Sequence, residues 1–195
     1  MKKKEEEIEY FYPANKEQWR EWLQKNHDQK QAVWLICYRK NAGIPTVSWS
    51  EAVDEALCFG WIDSKKKPID EEKSMQFFSR RKAKSTWSKI NKEKIQQLID
   101  DGRMTQIGLA SVDLAKQNGS WTILDEVEAL IIPNDLETAL MIKPAAKTFF
   151  MSLSKSVQKS MLQWLVLSKR PETREKRINE IATFAQQQMK PTQFR

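Results

Sequence analysis

The sequence predicts an α+β fold, a small and mainly antiparallel sheet covered by helices and followed by a helical C-terminal subdomain. Three observations carry this. Val33 to Lys40 is a near-continuous apolar and aromatic run, bounded by a Gln-rich segment and by Asn-Ala-Gly, which suits a buried strand. Two extended runs, Trp61 to Ile69 and Ser74 to Lys82, flank the polar Asp70-Glu71-Glu72-Lys73 with the spacing of a hairpin and its four-residue loop. Beyond them the chain holds helical periodicities and no further strand pattern, so parallel β-α-β winding is not expected.

Taken in order, Ile8 to Tyr12 reads as a short strand. Asn15 with Gln18 then opens a helix whose Trp19, Trp22 and Leu23 share one face, with His27 near its end. Residues 41–47 read as a loop punctuated by Gly43 and Pro45. Ser48 and Glu51 form a capping box ahead of an apolar stripe of Ala52, Val53, Ala56 and Leu57, and Gly60 supplies the stop. After the hairpin, a helix over residues 91–101 is expected to bury Ile95, Leu98 and Ile99 and to end at Gly102. The next, 104–117, is expected to bury Ile107, Ala110, Ser111 and Leu114.

Residues 122–133 read as a connection between a body of residues 1–130 and a helical subdomain of residues 134–195 packed on it. In that subdomain Asn134 and Glu137 suggest a capping box, Pro144 a first helical residue and Ser154 a cap, and Pro171 starts the last helix with Ile178, Ile181, Ala182 and Ala185 inward. Trp164 is the expected anchor.

Composition narrows the function. Forty per cent hydrophobic residues with eight Trp and eight Phe exclude a disordered chain, and a mean hydropathy of -0.67 with no long apolar run gives no membrane span. Met1 to Glu7 alternates lysines with glutamates and lacks the apolar core of a secretory signal, so a cytoplasmic location is expected. Cys37 and Cys58 sit in apolar surroundings and read as buried thiols. With a single histidine, His27, no zinc site of the common types can be assembled, and no metal or cofactor is expected.

The formal charge of +7 is concentrated. Residues 64–84 hold eight Lys or Arg against three acids, which is +5. Lys65, Lys66, Lys67, Lys82 and Lys84 form a basic patch that is either a solvated face or a nucleic-acid contact. Glu51, Glu55 and Cys58 share a helix face and Asp63 follows the corner, where these carboxylates either pair with Arg80 or Arg81, coordinate a cation, or, at Glu55 or Asp63 with a shifted pKa, serve as an acid or base. Trp61, Asp63, Arg80, Arg81, Trp87, Ser88 and Asn91 are the candidate pocket, with aromatic surface near arginines and hydroxyl and amide groups at a helix start. The same Ser and Asn also suit an ordinary N-cap, and the tryptophans an ordinary core. Glu172, Arg174 and Arg177 read as an ion-pair network docking the last helix.

The runs Ala56 to Ser64 (ALCFGWIDS), Arg80-Arg81-Lys82, Ser85-x-Trp87-Ser88-x-x-Asn91, Gly102-Arg103-Met104 and Lys169 to Arg174 with Arg177-Ile178 resemble the YdeI/OmpD-associated family, also described as bacteriocin-protection proteins. The resemblance implies a cytoplasmic bacterial protein linked to envelope stress and tolerance of antimicrobial peptides, and implies no particular cofactor or active residue. Three functions stay open on these grounds. The first is a non-enzymatic protection factor acting through a protein partner or an anionic ligand. The others are a nucleic-acid binder using the basic hairpin, and an enzyme of unstated reaction at the Trp61/Asp63/Arg80 corner.

Overall fold

The structure, a computed structural model, describes residues 8–195, so the reading of Met1 to Glu7 lies outside the described residues. Contacts divide the chain into two units. The first comprises residues 8–85 with Ile90–Trp121, the second Thr86–Lys89 with Thr122–Arg195.

The first unit is the α+β one. It runs β1 (Glu9–Phe11), α1 (Lys16–Asn26), β2 (Ala32–Tyr38), α2 (Trp49–Cys58), β3 (Trp61–Pro68), β4 (Lys73–Arg80), α3 (Lys89–Asp100, whose first residue groups with the second unit) and α4 (Gln106–Gln117). The sheet order is β1-β2-β4-β3, and it is mixed, because β1 lies parallel to β2 while β2–β4 and β3–β4 are antiparallel. The hairpin register pairs Trp61 with Arg80 and Asp63 with Phe78, and it slips between Asp63 and Lys66.

Capping follows the sequence in α1 and α2. Asn15 accepts from the Gln18 N–H at 2.9 Å, and Ser48 and Glu51 form the complete reciprocal box. Aromatic packing fills the space between α1 and the sheet. Trp19 is fully buried, its ring 5.2 Å from Trp22 and 5.4 Å from Phe78, and its indole N–H donates to the Ala52 carbonyl at 3.0 Å, which ties α1 to α2.

Two expectations fail in α3 and α4. Ile99 is exposed. In α4 the buried residues are Gly108, Val112 and Ala115, while Ile107 and Leu114 face water. The helix is thus rotated by about one residue from the face its aliphatic residues suggest, and Gly108 is the reason. A methyl built on it would stand 2.2 Å from the Cys58 carbonyl oxygen, so the backbones of α4 and α2 touch at a position where only glycine fits.

The end of α2 is held electrostatically as well. Glu55, 2% exposed, accepts from Arg20 Nη1 at 2.7 Å and from Arg103 Nη2, and Arg20 Nη2 reaches the Arg103 carbonyl at 2.9 Å. The hairpin arginines expected to serve this carboxylate do not reach it. They leave from the corner beyond Gly60, whereas Arg20 on α1 and Arg103 just after α3 face the helix directly.

The second unit is helical: α5 (Asp125–Glu128), α6 (Asn134–Ile142), α7 (Ala146–Ser152), α8 (Lys155–Val166) and α9 (Pro171–Gln186). The stretch read as a bare connection contains α5, and Leu124 and Val127 belong to this unit's core with Leu136, Leu140, Phe150, Met161, Leu165, Ile178 and Ile181. Asn134 is the first helical residue rather than a cap, because Pro133 takes the cap position and Asn134 uses its carbonyl to accept from Thr138. Pro144 precedes α7, which starts at Ala146, and Ser154 stands at the cap of α8 without a side-chain bond.

Phe150 is the fully buried aromatic at the centre. Trp164 sits at the edge, its ring 4.7 Å from the Arg177 guanidinium and 5.6 Å from Phe194. Arg174 forks Asp135, with Nε at 2.6 Å and Nη2 at 3.0 Å, and Arg177 donates to the Trp164 carbonyl and to Ser168, so Glu172 is not part of the network.

Three outcomes are expected from this packing. Glu55→Gln removes the charge that two guanidinium groups share. Those groups are about one-third exposed and rehydrate in part, so the loss is about 2–4 kcal/mol, somewhat under the ~3–5 of a wholly buried pair, read by urea denaturation. Gly108→Ala gains helix propensity on an exposed helix but here costs about 1–3 kcal/mol, because the methyl meets backbone. Burial pushes the Cys37 thiol up to about 11 and raises Cys58 as well. At pH 8 roughly a thousandth of Cys37 is then thiolate, so iodoacetamide should label the native chain slowly and the urea-unfolded chain fast.

Candidate functional site

The corner at Gly60 builds a cleft. Gly60 adopts φ +70, which ends α2 and sends the chain straight into β3. Trp61 then turns inward. It is fully buried, its ring edge-on to Trp22 at 5.8 Å, and its indole N–H points to the His27 carbonyl at 3.4 Å. Opposite it, Arg80 donates its backbone N–H to Gln31 at 3.1 Å, and Arg81 donates its own to the Gly60 carbonyl at 2.9 Å. The backbone is therefore pinned on both sides of the two arginines.

Between these groups lies a cleft of about 230 Å³ bordered by His27, Asp28, Phe59, Gly60, Trp61, Arg80, Arg81, Ile107 and Ser111. It brings together three of the sequence's candidates, Trp61, Arg80 and Arg81. His27, Asp28 and Phe59 come from the ends of α1 and α2, and their chain positions carried no polar motif. Ile107 and Ser111 arrive because Gly108 rotates α4, a turn its apolar spacing conceals.

The electrostatics of the two arginines differ. Burial pushes Arg81 down to about 10, and the negative charge of Asp63 opposes that shift. In Arg80, Nε and Nη2 are buried and make no hydrogen bond, and no carboxylate pairs with this side chain among the described residues. A guanidinium edge kept dry and unpaired is costly, because its desolvation is not returned by any partner.

Asp63 does not serve Arg80. Its carboxylate accepts from the Trp49 indole N–H at 3.0 Å and from Gln76 Nε2 at 3.1 Å, and the hairpin register sets it across from Phe78 rather than Arg80. Trp87 is buried and groups with Ser88 in the second unit, while Asn91 lies in the first turn of α3; none of the three borders the cleft. Lys65, Lys66 and Lys67 stand exposed along β3, with Lys82 and Lys84 exposed beyond β4. Lys67 lies 5.1 Å over the Trp34 ring and Lys73 5.9 Å over Tyr38. Among the described residues no helix is long and apolar enough to cross a membrane, and no three His, Cys, Asp or Glu side chains gather as a metal site.

Comparison with known proteins yields two family matches. Residues 11–111 match the model of a domain of unknown function, DUF8412, and residues 129–187 match the model described as bacteriocin-protection, YdeI or OmpD-associated. No curated protein and no solved structure matches the chain. The motifs from Ala56 to Met104 lie within the first match and those from Lys169 to Ile178 within the second. With half of its length inside the first model, the chain belongs to the DUF8412 family, and its helical second unit carries the bacteriocin-protection, YdeI/OmpD-associated region.

Proposed function

We propose that the protein is a non-enzymatic, cytoplasmic protection factor, active under envelope stress or antimicrobial-peptide challenge, that works by binding an anionic ligand in the Arg80 cleft. The unpartnered Nε and Nη2 of Arg80 carry this reading. A folded chain tolerates such a cost where another requirement is served, and strained or unsatisfied groups cluster at functional positions for that reason. Arg81 adds a second positive charge, while Phe59 and Trp61 supply walls that keep water from screening it. The bacteriocin-protection match of the second unit supports the biological setting.

Nucleic-acid binding by the hairpin is the weaker reading. Lys67 and Lys73 are placed over the sheet's own aromatic rings, Trp34 and Tyr38, where a base would otherwise stack. Catalysis at the corner has less support again, since Asp63 is committed to Trp49 and Gln76, Glu55 to Arg20 and Arg103, and neither carboxylate borders the cleft.

The expected outcome is specific to one side chain. In a bacterial strain whose survival of a cationic pore-forming peptide depends on this protein, Arg80→Gln abolishes protection while the protein remains folded and abundant, and Lys65→Ala with Lys66→Ala leaves protection intact. Equal protection by wild type and Arg80→Gln, or loss with the lysine pair alone, would overturn the reading.

A further inference from the structure

Resting on the anion-binding reading, the chemistry of the cleft defines what the anion is. The two unsatisfied donors of Arg80 are Nε and Nη2, which lie on one edge of the planar guanidinium. That edge is a fork whose two N–H groups run parallel and match the two oxygens of a single carboxylate. The second unit shows the same edge satisfied: Arg174 gives Nε and Nη2 to the two oxygens of Asp135, at 2.6 and 3.0 Å. Among the described residues Arg80 has no such partner. Turning its edge into the cleft breaks no hydrogen bond at either nitrogen, and two charge-assisted bonds are gained.

The remaining borders select among anions. Asp28 places a carboxylate on the rim, which repels a dianion more than a monoanion. The Ser111 hydroxyl donates to the Gly108 carbonyl at 2.7 Å and so is already engaged. Phe59, Trp61 and Ile107 are apolar and line the rest of the space. At about 230 Å³ the cleft falls below the roughly 300–1,000 Å³ of sites for drug-sized ligands, so a nucleotide is too large while a short organic acid fits.

We infer that the Arg80 cleft binds a small apolar monocarboxylic acid, with the carboxylate forked by Arg80 and the hydrocarbon body against Phe59, Trp61 and Ile107. Its specificity comes from the fork and from the apolar wall together. Lysine at position 80 keeps the charge but cannot fork, and a carboxylate at position 107, which is half-exposed on α4, sets a like charge against the ligand body.

Isothermal titration of the full chain with phenylacetate, acetate, inorganic phosphate and adenosine monophosphate tests this, with the Arg80 Nε–H resonance followed by NMR. Phenylacetate should bind one to one, at least tenfold more tightly than acetate, phosphate or the nucleotide, and should shift the Arg80 resonance. Arg80→Lys should weaken it at least tenfold with an unchanged melting temperature. Ile107→Glu should do so as well, which keeps the test decisive if changes at position 80 disturb folding. Tighter binding of phosphate or the nucleotide, through Arg80, would overturn the carboxylic-acid assignment and leave the anion reading standing. Absence of binding by all four probes at millimolar concentration, with no shift of the Arg80 resonance, would overturn both.

Discussion

The C-terminal turn of α2 is the point on which the first unit depends. The Cys58 carbonyl receives the Thr105 N–H at 3.2 Å and the Thr105 hydroxyl, and its oxygen is where Gly108 brings α4 into backbone contact. One turn earlier, Glu55 gathers Arg20 from α1 and Arg103 from the segment before α4. A buried carboxylate with two cationic partners is stable only while both are in reach, so this one group fixes three elements at once. The aromatic stack of Trp19, Trp22 and Phe78 supplies the larger apolar burial but little direction. Direction comes from the charges and from the glycine.

The same turn sets the cleft. With α2 stopped at Gly60, Trp61 is carried inward and its strand partner, Arg80, is brought to the same edge by antiparallel pairing. Gly60 is doubly constrained, since its positive φ suits glycine and a methyl there would lie 3.3 Å from Ser111 Cβ. Residues that border the cleft and residues that pack the core are therefore neighbours along one stretch of chain. That explains why the run from Ala56 to Ser64 is mostly apolar although it borders a charged site.

What the sequence made legible follows from how local each signal was. The Asn15 cap of α1, the capping box of α2, the hairpin and the Pro171 helix start depend on residues a few positions apart, and their expected places agree closely with the structure. Ile107 and Leu114 were misassigned because helical spacing of large aliphatics says nothing about a close backbone approach at a glycine. Glu55 drew partners that are distant in sequence, Arg20 and Arg103, which no local pattern reveals. Asp63 is held by the neutral donors of Trp49 and Gln76, nearer in the chain than the hairpin arginines; an expectation built on opposite charge overlooks the hairpin register, which sets Asp63 across from Phe78. Trp61, Arg80 and Arg81 were legible as cleft residues, since pairing across a hairpin is a matter of counting. Ile107 and Ser111 were not, because they meet the cleft only through the packing of α4 on α2.

The electrostatics of the arginine pair give the cleft a reason to favour a bound anion at neutral pH. Arg81 in the folded chain is pushed by burial down to about 10, below the ordinary arginine range. Between that value and the ordinary range the unfolded chain holds a proton that the folded chain has released, so stability rises with pH across that window. Below about 10 both states are charged, and folding carries the part of the burial cost that the nearby charge of Asp63 does not offset. A neighbouring anion favours the charged form and offsets this cost, just as it satisfies the dry edge of Arg80. Arg81 stays charged throughout the physiological range, so its net burial cost and the dry edge of Arg80 are both present there, and the monoanion proposed above would relieve both.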